Sequence, residues 1–319
     1  MRVRRTSCAQ RELTAHFRPI LRPDVTLGAV VGGPIHTGRV GEPFIGSEAL
    51  ASGTLTRHRL RSRFVAIYPD VYVPRDTELS ATTRAHAAWL WSRRRGVVAG
   101  QSASALYRAK WVDHRAPGQL LYEHRRPPNG IRTWSDQVSP EEIQLIGGIP
   151  ATTPARTAFD LACRINPTGK AVAAIDALAR ATKLNVEDAQ RLGERYKGHR
   201  NIRHARRALT LVDAGAQSPQ ETWLRLLLVE AGYPRPQTQI PVYGEYGELV
   251  AILDMGWEDV KIAVEYEGDH HRIDRRQFNR DIARFEALPD LGWITVRVTA
   301  EDTQGGVLRR VAAAWARRA

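Results

Sequence analysis

The chain has 319 residues, 43% of them hydrophobic, with two cysteines and a formal net charge of +13 at pH 7. That length suits two or three domains, two cysteines exclude a disulfide framework, no Cys/His spacing resembles a zinc site, and no apolar run reaches the roughly 18 residues of a membrane span. The charge is uneven: residues 1–217 carry +16 and residues 218–319 carry −3, a basic body joined to an acidic-centred end.

Residues 1–43 mix arginines with glycine and proline without a sustained period, which predicts a flexible basic extension. The arginines at its start have no apolar signal-peptide core behind them, so a cytoplasmic protein is expected. Residues 44–79 read as a winged-helix-like module. Ser47 can cap a short helix over Glu48–Ser52, ended by Gly53, and Thr56 can cap a second reaching Arg63. Phe64–Tyr68, Pro69-Asp70 and Val71–Val73 then alternate as a tight hairpin. Arg57, Arg59, Arg61 and Arg63 sit in the second helix, either as a solvated face or as contacts to nucleic-acid phosphates.

Residues 80–213 read as a mixed α/β, mostly helical middle domain. A helix over 80–96 closes at Arg93-Arg94-Arg95, where positive charge suits the helix dipole. A short helix over Ser102–Tyr107 and strands near Leu120–Glu123 and Gln144–Ile146 follow. Further helices are predicted over Pro154–Arg164, Lys170–Thr182, Val186–Tyr196 and Ile202–Val212. Arg203, Arg206 and Arg207 share one side of the last, as surface or as phosphate contacts. Residues 213–217 read as a linker.

Residues 218–319 predict α-β-β-β-α-β-α, a compact unit with a central mixed sheet: helix Pro219–Ala231, strands Gln239–Val242, Leu249–Met255 and Lys261–Glu267, helix Arg275–Leu288, strand Trp293–Val298 and helix Gly306–Arg317. Trp223, Trp257, Trp293 and Trp315 are expected to pack in its core. Strand alternation places Glu265 and Glu267 on one face, while Asp254 shares a face with Val250 and Ile252, expected to be a core face. A carboxylate cluster removed from water calls for a cation, and Mg²⁺ or Mn²⁺ suits oxygen ligands. Glu221 lies in the first turn of the preceding helix, where Ser218-Pro219-x-Glu221 is also a capping box; cap and site role can coexist. His270 and His271 follow the carboxylate strand as turn residues or proton carriers, and Asp281 with Arg284 fits a helical ion pair.

Ser218-Pro219-x-Glu221, Asp254, Glu265-x-Glu267-Gly268-x-x-His271, Asp281-x-x-Arg284 and Leu291-Gly292-Trp293 together resemble the Vsr-like endonuclease domain of the PD-(D/E)XK restriction-nuclease superfamily. The resemblance implies a restriction-endonuclease-like α/β fold with Asp254 and Glu265 as metal ligands. It implies Glu221 as the helix carboxylate, with Glu267 and His271 in support; Glu267 stands where the superfamily motif has lysine. The N-terminal helices and hairpin, with Thr153-Pro154-x-Arg156-Thr157-x-x-Asp160-Leu161, are similar to AbiEi-type antitoxins. That likeness implies a winged-helix repressor whose partner is a nucleotidyltransferase toxin.

Two functions are therefore expected. One is a metal-dependent DNA endonuclease or nickase whose catalytic groups are Glu221, Asp254, Glu265, Glu267 and His271, with DNA held by the basic N-terminal region. The alternative is a non-catalytic DNA-binding regulator of the antitoxin type that uses the nuclease fold as a scaffold. Charge alone leaves an RNA-directed nuclease open as well.

Overall fold

A computed structural model describes residues 41–124, 126–268 and 287–318. Among them, β1 (Phe44–Ile45), β2 (Phe64–Tyr68) and β3 (Val71–Pro74) form a small antiparallel sheet in the order β1-β3-β2. Helices α1 (Gly46–Ala51) and α2 (Arg57–Arg63) fall between β1 and β2, so helix, helix and hairpin follow in the predicted order. Thr56 caps α2 as expected, accepting from Arg59 N. Ser47 does not cap α1. That helix starts one residue before Ser47, with Ile45 at its N-cap and no side-chain cap. Its orphan amides turn instead to the hairpin. Gly46 N donates to the Asp70 carbonyl at 2.9 Å, and Ser47 N donates to Asp70 Oδ1 at 2.9 Å. The turn of the hairpin thus supplies the cap that local sequence leaves out.

The middle domain begins with α3 (Ala81–Trp91), β4 (Val97–Val98), α4 (Gly100–Leu106) and β5 (Gly118–Leu121). It continues through β6 (Ile131–Trp134), β7 (Ile143–Ile146) and β8 (Ile149–Thr152). Its mixed sheet runs β6-β5-β4-β8-β7. Helix α3 is shorter than the predicted 80–96 because Arg93 and Arg94 adopt left-handed φ of 57° and 61°, which ends the helix. Helices α5 (Pro154–Arg164), α6 (Thr168–Thr182), α7 (Val186–Arg195) and α8 (Ile202–Thr210) close around Phe159, Leu161, Ile175, Leu178 and Leu209.

Residues 213–217 are not a free linker. Asp213 N donates to Asp176 Oδ1 on α6 at 2.7 Å, Gly215 N donates to Asp213 Oδ1, and Ala216 is buried. Beyond them come α9 (Pro219–Glu230), β9 (Gln237–Tyr243), β10 (Leu249–Trp257), β11 (Ile262–Glu267), β12 (Ile294–Thr299) and α10 (Gln304–Ala316). The sheet order is β12-β11-β10-β9, with β11 and β12 parallel and the other pairs antiparallel, a mixed sheet as predicted. Leu224 and Leu228 of α9 and Val307, Val311 and Ala314 of α10 pack on Met255, Val264 and Val298. Trp257 and Trp293 are buried, and Trp257 meets Trp315 edge-on at 5.3 Å between ring centroids, in agreement with the core reading. Most of the predicted helix over 275–288, with His270, His271, Asp281 and Arg284, lies outside the described residues. No helix among the described residues is long and apolar enough to cross a membrane.

Candidate functional site

Two surfaces carry the residues singled out in the sequence. On the first, Leu60 alone of α2 is buried, while Arg57, Arg59, Arg61 and Arg63 are exposed and take part in no ion pair among the described residues. Arg75 turns back instead, giving Nε to the Ser62 carbonyl at 3.1 Å and Nη2 to the Arg61 carbonyl at 2.8 Å, which satisfies the carbonyl end of α2. Two acidic groups of this module, Asp70 and Glu48, turn to arginines that follow α3. Asp70 Oδ2 meets Arg93 Nη2 at 2.7 Å, and Glu48 takes Arg94 in a two-pronged pair at 2.6 and 2.7 Å. The Arg94 hydrogen bond holds the Glu48 carboxyl below its ordinary pKa, against a small opposing effect of burial.

Arg93 and Arg94 therefore clamp the module to the middle domain rather than merely closing a helix. Tyr68 adds a second tie, its hydroxyl donating to the Gly130 carbonyl at 2.9 Å. The module shows a basic helix outward beside its hairpin, with Asp76 and Glu78 also exposed. That arrangement suits phosphate contact by α2. Arg206 and Arg207, by contrast, are spent on Glu194 and Glu230.

The second surface holds the carboxylates. Gly256 lets β10 and β11 approach closely, since a Cβ there would lie 2.2 Å from the Ile262 carbonyl oxygen. Beyond the paired stretch Met255↔Val264 to Trp257↔Ile262, Asp254 Oδ2 accepts from Tyr266 N at 2.9 Å. The face of Asp254 is not the core face predicted for it. Ile252 is 47% exposed, whereas Leu253, Met255 and Trp257 turn inward, following a bulge between Leu249 and Ala251. Glu265 is buried.

Glu221 completes the capping box: its N–H donates to Ser218 Oγ at 3.2 Å, while its carboxylate accepts from Gln217 N at 2.8 Å and from Ser218 Oγ at 3.0 Å. Burial raises the Glu221 pKa, and the nearby charge of Asp254 raises it further. Glu221 and Asp254 thus share one electrostatic environment. Glu267 departs from it to pair with Arg297 of β12, which the parallel register sets beside Glu265.

Among the described residues, no group of three His, Cys, Asp or Glu side chains is arranged to hold a metal ion. Glu221 is engaged as a cap and Glu267 as an ion-pair partner; His271 lies outside the described residues.

Sequence reasoning passed over two charge networks. Arg156, 1% exposed, binds Asp160 through Nε at 3.0 Å and Glu142 through Nη1 at 2.5 Å, and Glu142 also takes Arg195 and Tyr196. The Thr153–Leu161 motif is therefore a structural hub, with Thr153 as N-cap and Pro154 in the first turn of α5. The other network joins the middle domain to the C-terminal unit. Arg225 of α9 gives Nη2 to Asp176 Oδ2 on α6 at 2.8 Å and Nη1 to the Leu211 carbonyl at 2.7 Å, with both ion partners 1% exposed. The only advance signal was a charged residue on the otherwise apolar side of each helix.

No solved structure matches the chain significantly. The chain is similar to two Mycobacterium tuberculosis proteins, Uncharacterized protein Rv2248 of strain ATCC 25618 / H37Rv and Uncharacterized protein MT2308 of strain CDC 1551 / Oshkosh. Each is 31% identical over 162 residues, which is 51% of this chain and 59% of the relative. The chain thus spans less than two thirds of the relatives it matches. Residues 81–214, from α3 through α8, match the family described as the AbiEi antitoxin C-terminal domain.

Proposed function

We propose that the protein is a DNA-binding regulator of the AbiEi antitoxin type. The observation that carries this reading is the joining of an AbiEi-like domain, residues 81–214, to a winged-helix module whose arginine-bearing α2 faces outward without acidic partners. The module grips DNA phosphates through Arg57, Arg59, Arg61 and Arg63, and the AbiEi-like domain receives a toxin partner of the nucleotidyltransferase class. The C-terminal α/β unit, fastened through Asp176 and Arg225, serves as scaffold.

A gel shift on the promoter region of the protein's own gene tests it. Retardation there, lost in the Arg57→Glu/Arg59→Glu variant, is the expected result. Equal binding by wild type and variant would refute the interface.

A hydrolytic reading keeps one specific observation: Asp254 lies near enough to Glu221 for its charge to act on that carboxyl, with buried Glu265 on the adjoining strand. Incubation of supercoiled plasmid with the protein and Mg²⁺ or Mn²⁺, beside Asp254→Ala and Glu265→Ala, tests it. Nicking by wild type alone would support an endonuclease of DNA, and equal activity in all three would dismiss it.

A further inference from the structure

Apart from both surfaces, a cavity of about 130 Å³ opens where the middle domain meets the C-terminal unit. Arg108, Lys110, Trp111, Arg180, Gln217 and Ser218 are among the residues lining it. Arg108, Lys110 and Arg180 are exposed and take part in no ion pair among the described residues, although Arg180 touches the Gly215 carbonyl at 3.4 Å. The carboxylate on the cavity wall, Asp176, is already neutralised by Arg225 and bonded to Thr222 Oγ1 and Asp213 N. Three cations therefore face one small cavity without an ion pair among the described residues, although Arg180 lies close enough to Glu221 for the two charges to act on each other.

Trp111 gives the cavity its second property. Its ring is 58% exposed, yet the indole N–H donates to the Gln217 carbonyl at 3.0 Å, so the ring is pinned at the rim rather than buried. Arg108 and Trp111 both hold left-handed backbone, with φ of 60° and 65°. Such conformations are costly for residues with a Cβ and persist where surrounding structure enforces them. Arg108 is the left-handed residue that ends α4, its N–H and that of Ala109 donating to the Ala105 and Ser104 carbonyls, and this turn brings Arg108 and Trp111 to one cavity.

Cations beside an exposed aromatic face match the two halves of a nucleotide, the phosphate and the stacking base. The volume is close to the roughly 150 Å³ that accommodates a single benzene-sized group. We propose that this cavity binds one nucleotide unit, its phosphate at Arg108, Lys110 and Arg180 and its base on Trp111. This site is separate from α2 and does not rest on the winged-helix reading.

The test is calorimetric titration of the full chain with adenosine 5′-monophosphate and with a DNA single strand of about six nucleotides. Saturable binding of the monophosphate identifies a free nucleotide as sufficient; binding of the strand alone identifies a nucleotide within a chain. In either case Arg180→Glu should abolish binding and Trp111→Ala should weaken it about tenfold, the scale of one lost base stack. Arg203→Glu, an equal charge change on an exposed arginine of α8 that takes part in no ion pair among the described residues, should leave binding unchanged. The altered side chains are exposed, and circular dichroism checks that each variant folds. Binding of neither probe, undiminished binding in Arg180→Glu and Trp111→Ala, or equal affinity for an oligoglutamate peptide would overturn the proposal.

Discussion

The junction between the middle domain and the C-terminal unit gives the sharpest quantitative test. Removing one member of a buried ion pair strands the other and typically costs about 3–5 kcal/mol. The two ends of the Asp176–Arg225 pair are not equally supported. In Arg225→Met, Asp176 keeps two donors, Asp213 N at 2.7 Å and Thr222 Oγ1 at 2.8 Å, so the loss should fall near 3 kcal/mol. In Asp176→Asn, the guanidinium keeps the Leu211 carbonyl as its strong acceptor, and its buried Nε already lacks a partner. That loss should fall near 5 kcal/mol. The double variant should cost at least about 2 kcal/mol less than the sum of the singles, because neither charge is then stranded. Urea unfolding of the full chain reads all three, and limited proteolysis near residues 213–217 reports whether the junction has opened. Single losses below about 1 kcal/mol, additive singles, or a milder Asp176→Asn than Arg225→Met would refute the claim that this pair locks the domains.

The same aspartate makes a signed pH prediction. Burial raises the Asp176 pKa from 3.8 to about 6, so between these values the folded state binds more protons than the unfolded one. The stability advantage of wild type over Asp176→Asn should therefore widen as pH falls from about 6 to 3.8 in parallel unfolding titrations. If Arg57 and Arg59 each hold a phosphate, replacing either by alanine should lower the slope of log K against log salt for DNA by about 0.9. Fluorescence anisotropy over a salt series reads that slope. Asp70→Ala removes the borrowed cap of α1 and the Arg93 pair, and should cost about 1–2 kcal/mol in thermal or urea unfolding. Glu221→Ala should cost about 1 kcal/mol by opening the capping box, whereas Glu221→Gln, which keeps an acceptor for Gln217 N, should cost less; equal costs would remove the cap argument.

Elements with strong local signals were readable directly. Helix α5 occupies the span predicted for it, because Thr153 as cap and Pro154 in the first turn act within a few residues. The 64–68/71–74 hairpin, with Asp70 at φ 60° in its turn, follows from short-range chemistry in the same way. Strands β4, β6 and β8 were missed. β4 has only two residues and owes its pairing to neighbours distant in sequence, while β8 contains Pro150, shows no period and pairs as a hairpin with β7 across Gly147-Gly148. The start of α1 was misplaced for a related reason, since its cap lies 23 residues downstream at Asp70. At the carboxylate surface, alternation sets Glu265 and Glu267 on one face, but it carries no information about β12, whose Arg297 takes Glu267.

The net charge has to be divided before it says anything about a ligand. Arg156 and Arg225 are consumed in buried pairs, Arg93 and Arg94 in the clamp on the module over 44–79, and Arg206 and Arg207 in surface pairs. Those arginines add to the total but are already answered by carboxylates of the same chain. An external polyanion is drawn chiefly by cations whose field is not cancelled within a few ångströms. The α2 arginines meet that condition, and so do Arg108 and Lys110 around the cavity at the domain junction, where Arg180 is answered in part by Glu221. The acidic surface of the C-terminal unit answers to the same accounting in reverse, since Glu221 and Glu267 already have donors within the chain. Among the described residues, part of the +13 of the sequence is internal fastening, and the proposals above assign contact with nucleic acid to two of the exposed groups of cations that remain.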